Sequence, residues 1–214
     1  MKEAYIYSLY PETAELDFSA LGCHLWRDEY PAFYSCRVAV CGVLQEGILV
    51  CLEADEPSPK AVFTGRDEPV WNDSCMEFFF QPFADDERYI NFEINPNGAC
   101  LCAVGCGRND RVFLRELSSL EPEVKAQVSE RGWKAELFIP EQLISDVFGR
   151  AFSVANTEYI RANCYKCGDL TPSPHYASLF PIDTPNPDYH RPEFFSKIFF
   201  KTSDLNQSHE RKIL

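Results

Sequence analysis

Two glutamates, Glu77 and Glu93, stand in two neighbouring runs of alternating residues, and Asn91, Arg161, Asn163 and Tyr165 fall on the same polar phase of such runs. Carboxylate, carboxamide and guanidinium groups hold donors and acceptors in fixed planes. That mixture suits a ligand rich in hydroxyls, because each hydroxyl both gives and accepts a hydrogen bond. A pair of carboxylates also suits acid/base cleavage of a glycosidic bond, which needs two at a set separation. Trp71, just ahead of the first run, offers a flat ring to stack on the apolar face of a pyranose. The plain alternative is a solvated face on which Arg161 pairs with a carboxylate.

The elements that carry these residues follow from period-two alternation, the mark of a strand with one side in a core. In Cys75 to Gln81, Met76, Phe78 and Phe80 share one face and Glu77 takes the other. In Arg88 to Ile94, Ile90, Phe92 and Ile94 oppose Tyr89, Asn91 and Glu93; in EYIRANCYKC, Ile160, Ala162 and Cys164 oppose Tyr159, Arg161, Asn163 and Tyr165. PFADDER reads as a turn and NPNG as a stop. Further strands are predicted at Ala4 to Leu9, Cys36 to Val43, Ile48 to Ala54, ACLCAVGCG, Val124 to Ser129, GWKAELFIP and KIFF. The period changes once: PEQLISDVFG has Pro at a first helical position, apolar residues at helical spacing and a terminal Gly. Trp26 is expected to tuck into the core, and residues 168–192 form a Pro-rich loop. The expected fold is all-β, an antiparallel β-sandwich of immunoglobulin-like or jelly-roll-like outline with one short helix. One domain is expected over residues 1–202, followed by a polar, disordered tail over 203–214.

Composition narrows the partners. A net charge of −13 repels polyanions, so nucleic acid and anionic membrane are not expected partners. MKEAYIYSLYPETAELD has no apolar signal region and no run reaches the length of a membrane span. With ten cysteines in no disulfide framework, the expectation is a cytoplasmic chain with reduced thiols. The lone Cys164-x-x-Cys167 near His175, and the Cys100, Cys102, Cys106 group, fall short of the paired spacing of a zinc site, so buried thiols are the expected reading. Asp55, Glu56, Asp67, Asp73 and Asp85 are candidate calcium ligands in acid-rich loops, without EF-hand spacing. Met76 lies on an apolar strand face, so no haem is expected. His190 reads as a peg for the loop, with Phe194 and Phe195 as anchors.

Four ordered motifs, VWNDSCMEFFFQP, YINFEINPNG, RANCYKCGD and PDYHRPEFF, over roughly residues 34–200, resemble the family 9 carbohydrate-binding modules and their DOMON-like relatives. The resemblance implies a β-sandwich that binds saccharide ends without cleaving them, structural calcium, and association with glycosidases in carbohydrate catabolism. By it Trp71 stacks on sugar, and Glu77, Arg161, Asn163 and Lys166 supply polar contacts; Asn91 joins them from the alternation. Leu179 stands where the family has a second Trp, with Phe180 or Tyr176 as the candidate substitute. Asn72 replaces a frequent Asp. Two other functions stay open: a hydrolase using Glu77 and Glu93, and a degenerate sandwich serving as a protein-interaction module.

Overall fold

The computed structural model describes residues 2–12 and 16–202; the tail expected over 203–214 lies outside the described residues. The strands are β1 (Lys2–Tyr7), β2 (Ser19–Ala20), β3 (Cys23–His24), β4 (Cys36–Val43), β5 (Gly47–Ala54), β6 (Cys75–Gln81) and β7 (Tyr89–Ile94). They continue as β8 (Cys100–Gly105), β9 (Val112–Phe113), β10 (Glu123–Val128), β11 (Trp133–Pro140), β12 (Tyr159–Cys167), β13 (Tyr176–Ser178) and β14 (Ser196–Thr202). One layer runs β10-β11-β5-β4 and the other β12-β6-β7-β8-β9, with β1 and β14 joining them into one curled sheet. The sandwich is not wholly antiparallel: β1 runs parallel to both β4 and β14. No helix among the described residues is long and apolar enough to cross a membrane.

The main core lies between the layers. Val38, Ile48, Val50, Leu52, Ala135 and Leu137 from one side meet Met76, Phe78, Phe80, Ile90, Phe92 and Ile94 from the other. These are the apolar phases of alternating strands, so burial of their faces fixes the register. The one α-helix among the described residues, α1 (Glu141–Phe148), follows β11 and buries Leu143, Ile144, Val147 and Phe148. It ends at Gly149, whose φ of 67° lets the N–H groups of Gly149 and Arg150 reach the carbonyls of Asp146 and Ser145.

The second face of β6, β7 and β12 is not the solvated face that stands as the plain alternative. Every residue of β6 and β7 is buried. Phe79, Tyr89, Leu101, Tyr165 and Tyr189 form a second apolar layer there, with Trp71 and Trp26 packed at its edge. The loops 55–74 and 168–195 roof this layer. Asp73 holds the first: its Oδ2 accepts hydrogen bonds from the N–H groups of Val62 and Phe63 and from Asn95 Nδ2.

A buried ionic cluster ties both loops to β12. Lys166 shares the inward phase of Cys164, and its side chain is 1% exposed. It donates to the Cys167 carbonyl at 2.8 Å and to His175 Nε2 at 2.6 Å, and faces Glu56 Oε2 at 3.1 Å. His175 Nδ1 donates to the Ser173 carbonyl, which can only accept, so Nε2 is the free acceptor. Glu56 also takes hydrogen bonds from Ser74 and Trp133. Burial opposes its charge, but Lys166 and these donors hold its carboxyl below the ordinary value.

Removing one member strands the rest. Lys166→Met is expected to cost about 3–5 kcal/mol by urea unfolding, and Glu56→Gln added to it to restore part of the loss. Strict additivity of the two would reject the pairing. The pH dependence has a definite sign. Burial and the Lys166 ammonium lower the His175 pKa from 6.5 to about 4. The unfolded chain takes that proton as pH falls below 6.5, whereas the folded chain refuses it until about 4, so stability is lost on acidification across this window. Thermal melts from neutral to mildly acidic pH should show a falling Tm, with a shallower slope in His175→Gln.

Candidate functional site

A hollow of about 100 Å³, open to solvent at its mouth, lies over the second face of β6 and β7. Glu77 and Glu93 stand directly opposite each other in the β6–β7 register and both reach its floor. Trp71 forms one wall. Its short 3-10 turn, Val70–Asn72, is anchored by buried Val70, and its carbonyl accepts the Asp169 N–H. Tyr176, Tyr189 and His190 bound other sides. Trp26 and Tyr30 meet Tyr176 edge-on at 5.5 and 4.9 Å, which holds that ring upright.

The cations come from the turn after β8. Asp110 accepts the N–H groups of Cys106 and Gly107, closing a tight turn that carries Arg108 and Arg111 over the sheet. Gly105 has no side chain because Arg111 passes too close; a Cβ there would lie 3.0 Å from the Arg111 Cα. Arg111 Nη1 donates to Asn91 Oδ1 at 3.1 Å and to Glu93 Oε1 at 3.3 Å, and Asn91 Nδ2 donates to the same Glu93 oxygen at 3.1 Å. Arg108 donates to Asp188. Burial, reinforced by Glu93, pushes the Glu77 carboxyl well above its ordinary value. Burial also raises Glu93, to about 7, against the opposing pull of Arg111. Burial and the two arginines keep His190 neutral, and its Nδ1 pairs with the Tyr89 hydroxyl at 2.8 Å. The peg expected at His190 therefore also lines the hollow.

The residues expected to bind ligand divide into two groups. Trp71 and Glu77 line the hollow, and Asn91 orients Glu93 and Arg111 beside it. Arg161, Asn163, Lys166, Leu179 and Phe180 do not line it. Arg161 is level with Gln81, at the far end of β6 from Glu77, and is held by Gln81 and the Pro192 carbonyl. Asn163 sits where β12 changes partner from β14 to β13, and it replaces the missing strand by bonding both the N–H and the C=O of Phe180. Lys166 is committed to the buried cluster. Leu179 belongs to the main core and Phe180 packs against it. Arg108, Arg111, Asp169, Tyr176 and Asp188 were not singled out from sequence as polar contacts. A hairpin reading of GRNDR, with arginines on either side of an Asn-Asp turn, is the signal that would have found the first two.

The calcium candidates have other partners. Glu56 lies in the Lys166 cluster, Asp67 faces Arg66 and Arg115, and Asp85 faces Arg150. Asp73 has the Lys60 ammonium 3.7 Å from its second oxygen, and Asp55 is exposed. No three of them bring carboxylate oxygens together among the described residues.

Residues 9–200 match the family model described as carbohydrate-binding family 9. A proposed carbohydrate-binding protein from Bacteroides uniformis ATCC 8492 superposes with a TM-score of 0.78 at 26% identity, over 94% of this chain and 98% of that one. Two structures of a family 9 module from Caldicellulosiruptor kristjanssonii share the fold. The cellotriose complex has a TM-score of 0.66 at 11% identity, over 96% of each chain. The glucose complex has 0.67 at 12%, over 95% of this chain and 98% of that one. The UPF0462 protein C4orf33 homolog of Rattus norvegicus is 27% identical over 154 residues, 69% of each chain.

The Asn163 assignment is testable. Asn163→Ala leaves the Phe180 amide without its buried acceptor, and urea unfolding should show a loss of about 1–3 kcal/mol. A neutral substitution would show that the side chain does not replace the absent strand.

Proposed function

The chain belongs to carbohydrate-binding family 9, and on that premise we propose that the hollow binds the end of a saccharide without cleaving it. The observation that carries the reading is the composition of one pocket: an indole wall at Trp71 beside a floor of carboxyl, carboxamide and guanidinium groups already cross-linked to one another. Trp71 stacks on the apolar face of the terminal ring. Glu93, Arg111 and Arg108 exchange hydrogen bonds with its hydroxyls, and Tyr176 takes the facing position. The hydroxyl-rich ligands of the C. kristjanssonii module, glucose and cellotriose, are of the chemistry this lining fits. The groups are held in place before ligand arrives, which limits the ordering cost of binding.

Calorimetric titration with glucose and cello-oligosaccharides, after a glycan array to rank ligands, tests the reading. Trp71→Ala is expected to weaken binding by about 1 kcal/mol or more, roughly fivefold or greater. Arg111→Ala should weaken it as well, whereas Arg161→Ala should leave the affinity within about twofold. Equal affinity in wild type and Trp71→Ala, or a blank array, rejects the site.

One observation favours a second reading. Glu77 and Glu93 are opposed in register; burial raises Glu77, and Arg111 opposes the rise at Glu93, so a protonated carboxyl could stand beside an ionised one as in glycosidase acid/base pairs. Release of product from a panel of aryl glycosides, abolished by Glu77→Gln, would establish hydrolysis; no turnover by pure protein leaves binding as the function.

A further inference from the structure

Beneath the hollow, β6 and β12 bring two thiols and a carboxyl together. Cys75 and Cys167 are directly opposed in the antiparallel register, and Glu77 lies two residues along β6 on the same face. The two sulfurs and a Glu77 oxygen all lie within 4.8 Å of one another, and all three residues are buried. We propose that Cys75, Cys167 and Glu77 form a binding site for a thiophilic divalent cation of the zinc type. The site stands on these floor residues alone, whether or not a saccharide fills the space above.

The geometry suits the ion. Zinc bonds of about 2.3 Å to sulfur and 2.0–2.2 Å to oxygen put tetrahedral ligand atoms about 3.3–3.8 Å apart. The Cys167 Sγ to Glu77 Oε1 distance is 3.0 Å, with the thiol donating, so a modest opening of the three groups admits the ion. A thiol is a weak donor for a buried carboxyl, and a cation satisfies that carboxyl more fully. Glu77 and Cys167 both line the hollow, so the fourth position opens toward it, where water or a ligand oxygen completes the shell. Sulfur ligands select a soft or borderline ion over calcium. Binding releases the two thiol protons to solvent, together with any proton on Glu77, and forms two metal–sulfur bonds and one metal–oxygen bond with no change of oxidation state.

The test uses the whole chain, reduced and freed of metal with a chelator, titrated with cobalt(II) and then zinc. One equivalent of cobalt should develop an intense thiolate-to-metal charge-transfer band that zinc abolishes. Cys75→Ala and Cys167→Ala should each weaken cobalt binding by about 100-fold or more, with far-ultraviolet circular dichroism unchanged. Cys106→Ser, which alters an exposed thiol, should leave the band intact. Cadmium-113 resonance of the wild-type chain needs no variant and should report a two-sulfur site. The proposal is overturned by the absence of a thiolate band in the reduced wild type, or by a band that survives loss of both Cys75 and Cys167. It is equally overturned by a band lost with Cys106, by a cadmium shift without sulfur ligation, or by a Cys75–Cys167 disulfide in the native protein.

Discussion

The structure turns on the exclusion of water from both sides of β6 and β7. A strand buried on one face can leave its polar phase to solvent, but here that phase lies under two loops. Each polar group on it then needs a partner inside the protein. Gln81 finds one in the carbonyls of Asp86 and Glu87 and in Arg161. Asn163 finds one in the Phe180 backbone, and Asn95 in Phe63 and Asp73. These groups hold down the roof. Glu77, Asn91 and Glu93 are left where the roof is incomplete, with Arg111 as the cation that makes their closeness tolerable. The hollow is the gap that remains once the other polar groups have used their hydrogen bonds to pin the loops.

Most of the sheet was legible because alternation is a local property. The bounds of β4 and β6 follow directly from where apolar phase begins and ends, α1 begins one residue later than its Pro suggests because Pro140 closes β11 and caps the helix, and the wet phase of β6 and β7 does identify Glu77, Asn91 and Glu93. The roof was not legible. Nothing within a strand tells whether its polar face meets water or a loop more than a hundred residues distant, so a second apolar layer built on Phe79, Tyr89 and Tyr165 has no local signature. Short strands such as β2, β3, β9 and β13 are equally silent, since two or three residues cannot show a period. Lys166 is a different case. It shares the phase of Ile160, Ala162 and Cys164, so alternation alone sends it inward, and resemblance to a binding motif pointed the other way. The buried Glu56 and His175 that neutralise and accept from it lie far apart in the chain.

The electrostatics of the hollow limit what it can hold. Arg108 and Arg111 give it two cations, but Asp188 occupies the first and Glu93 the second. Asp169 stands at the rim with its carboxyl raised by burial, and the chain as a whole carries a charge of −13. An anionic ligand would meet carboxyls from four residues and an opposing long-range field. A neutral polyhydroxyl ligand meets the same groups as ready acceptors and donors and has no net charge to desolvate. The aromatic surfaces point the same way. The position expected to carry a second indole is taken by Leu179, whose side chain is spent in the main core. Tyr176, three residues earlier, lines the hollow and is braced by Trp26 and Tyr30. A phenol ring stacks over less area than an indole but brings a hydroxyl, so in the proposed site Tyr176 would exchange part of the stacking for one more polar contact at the ring edge.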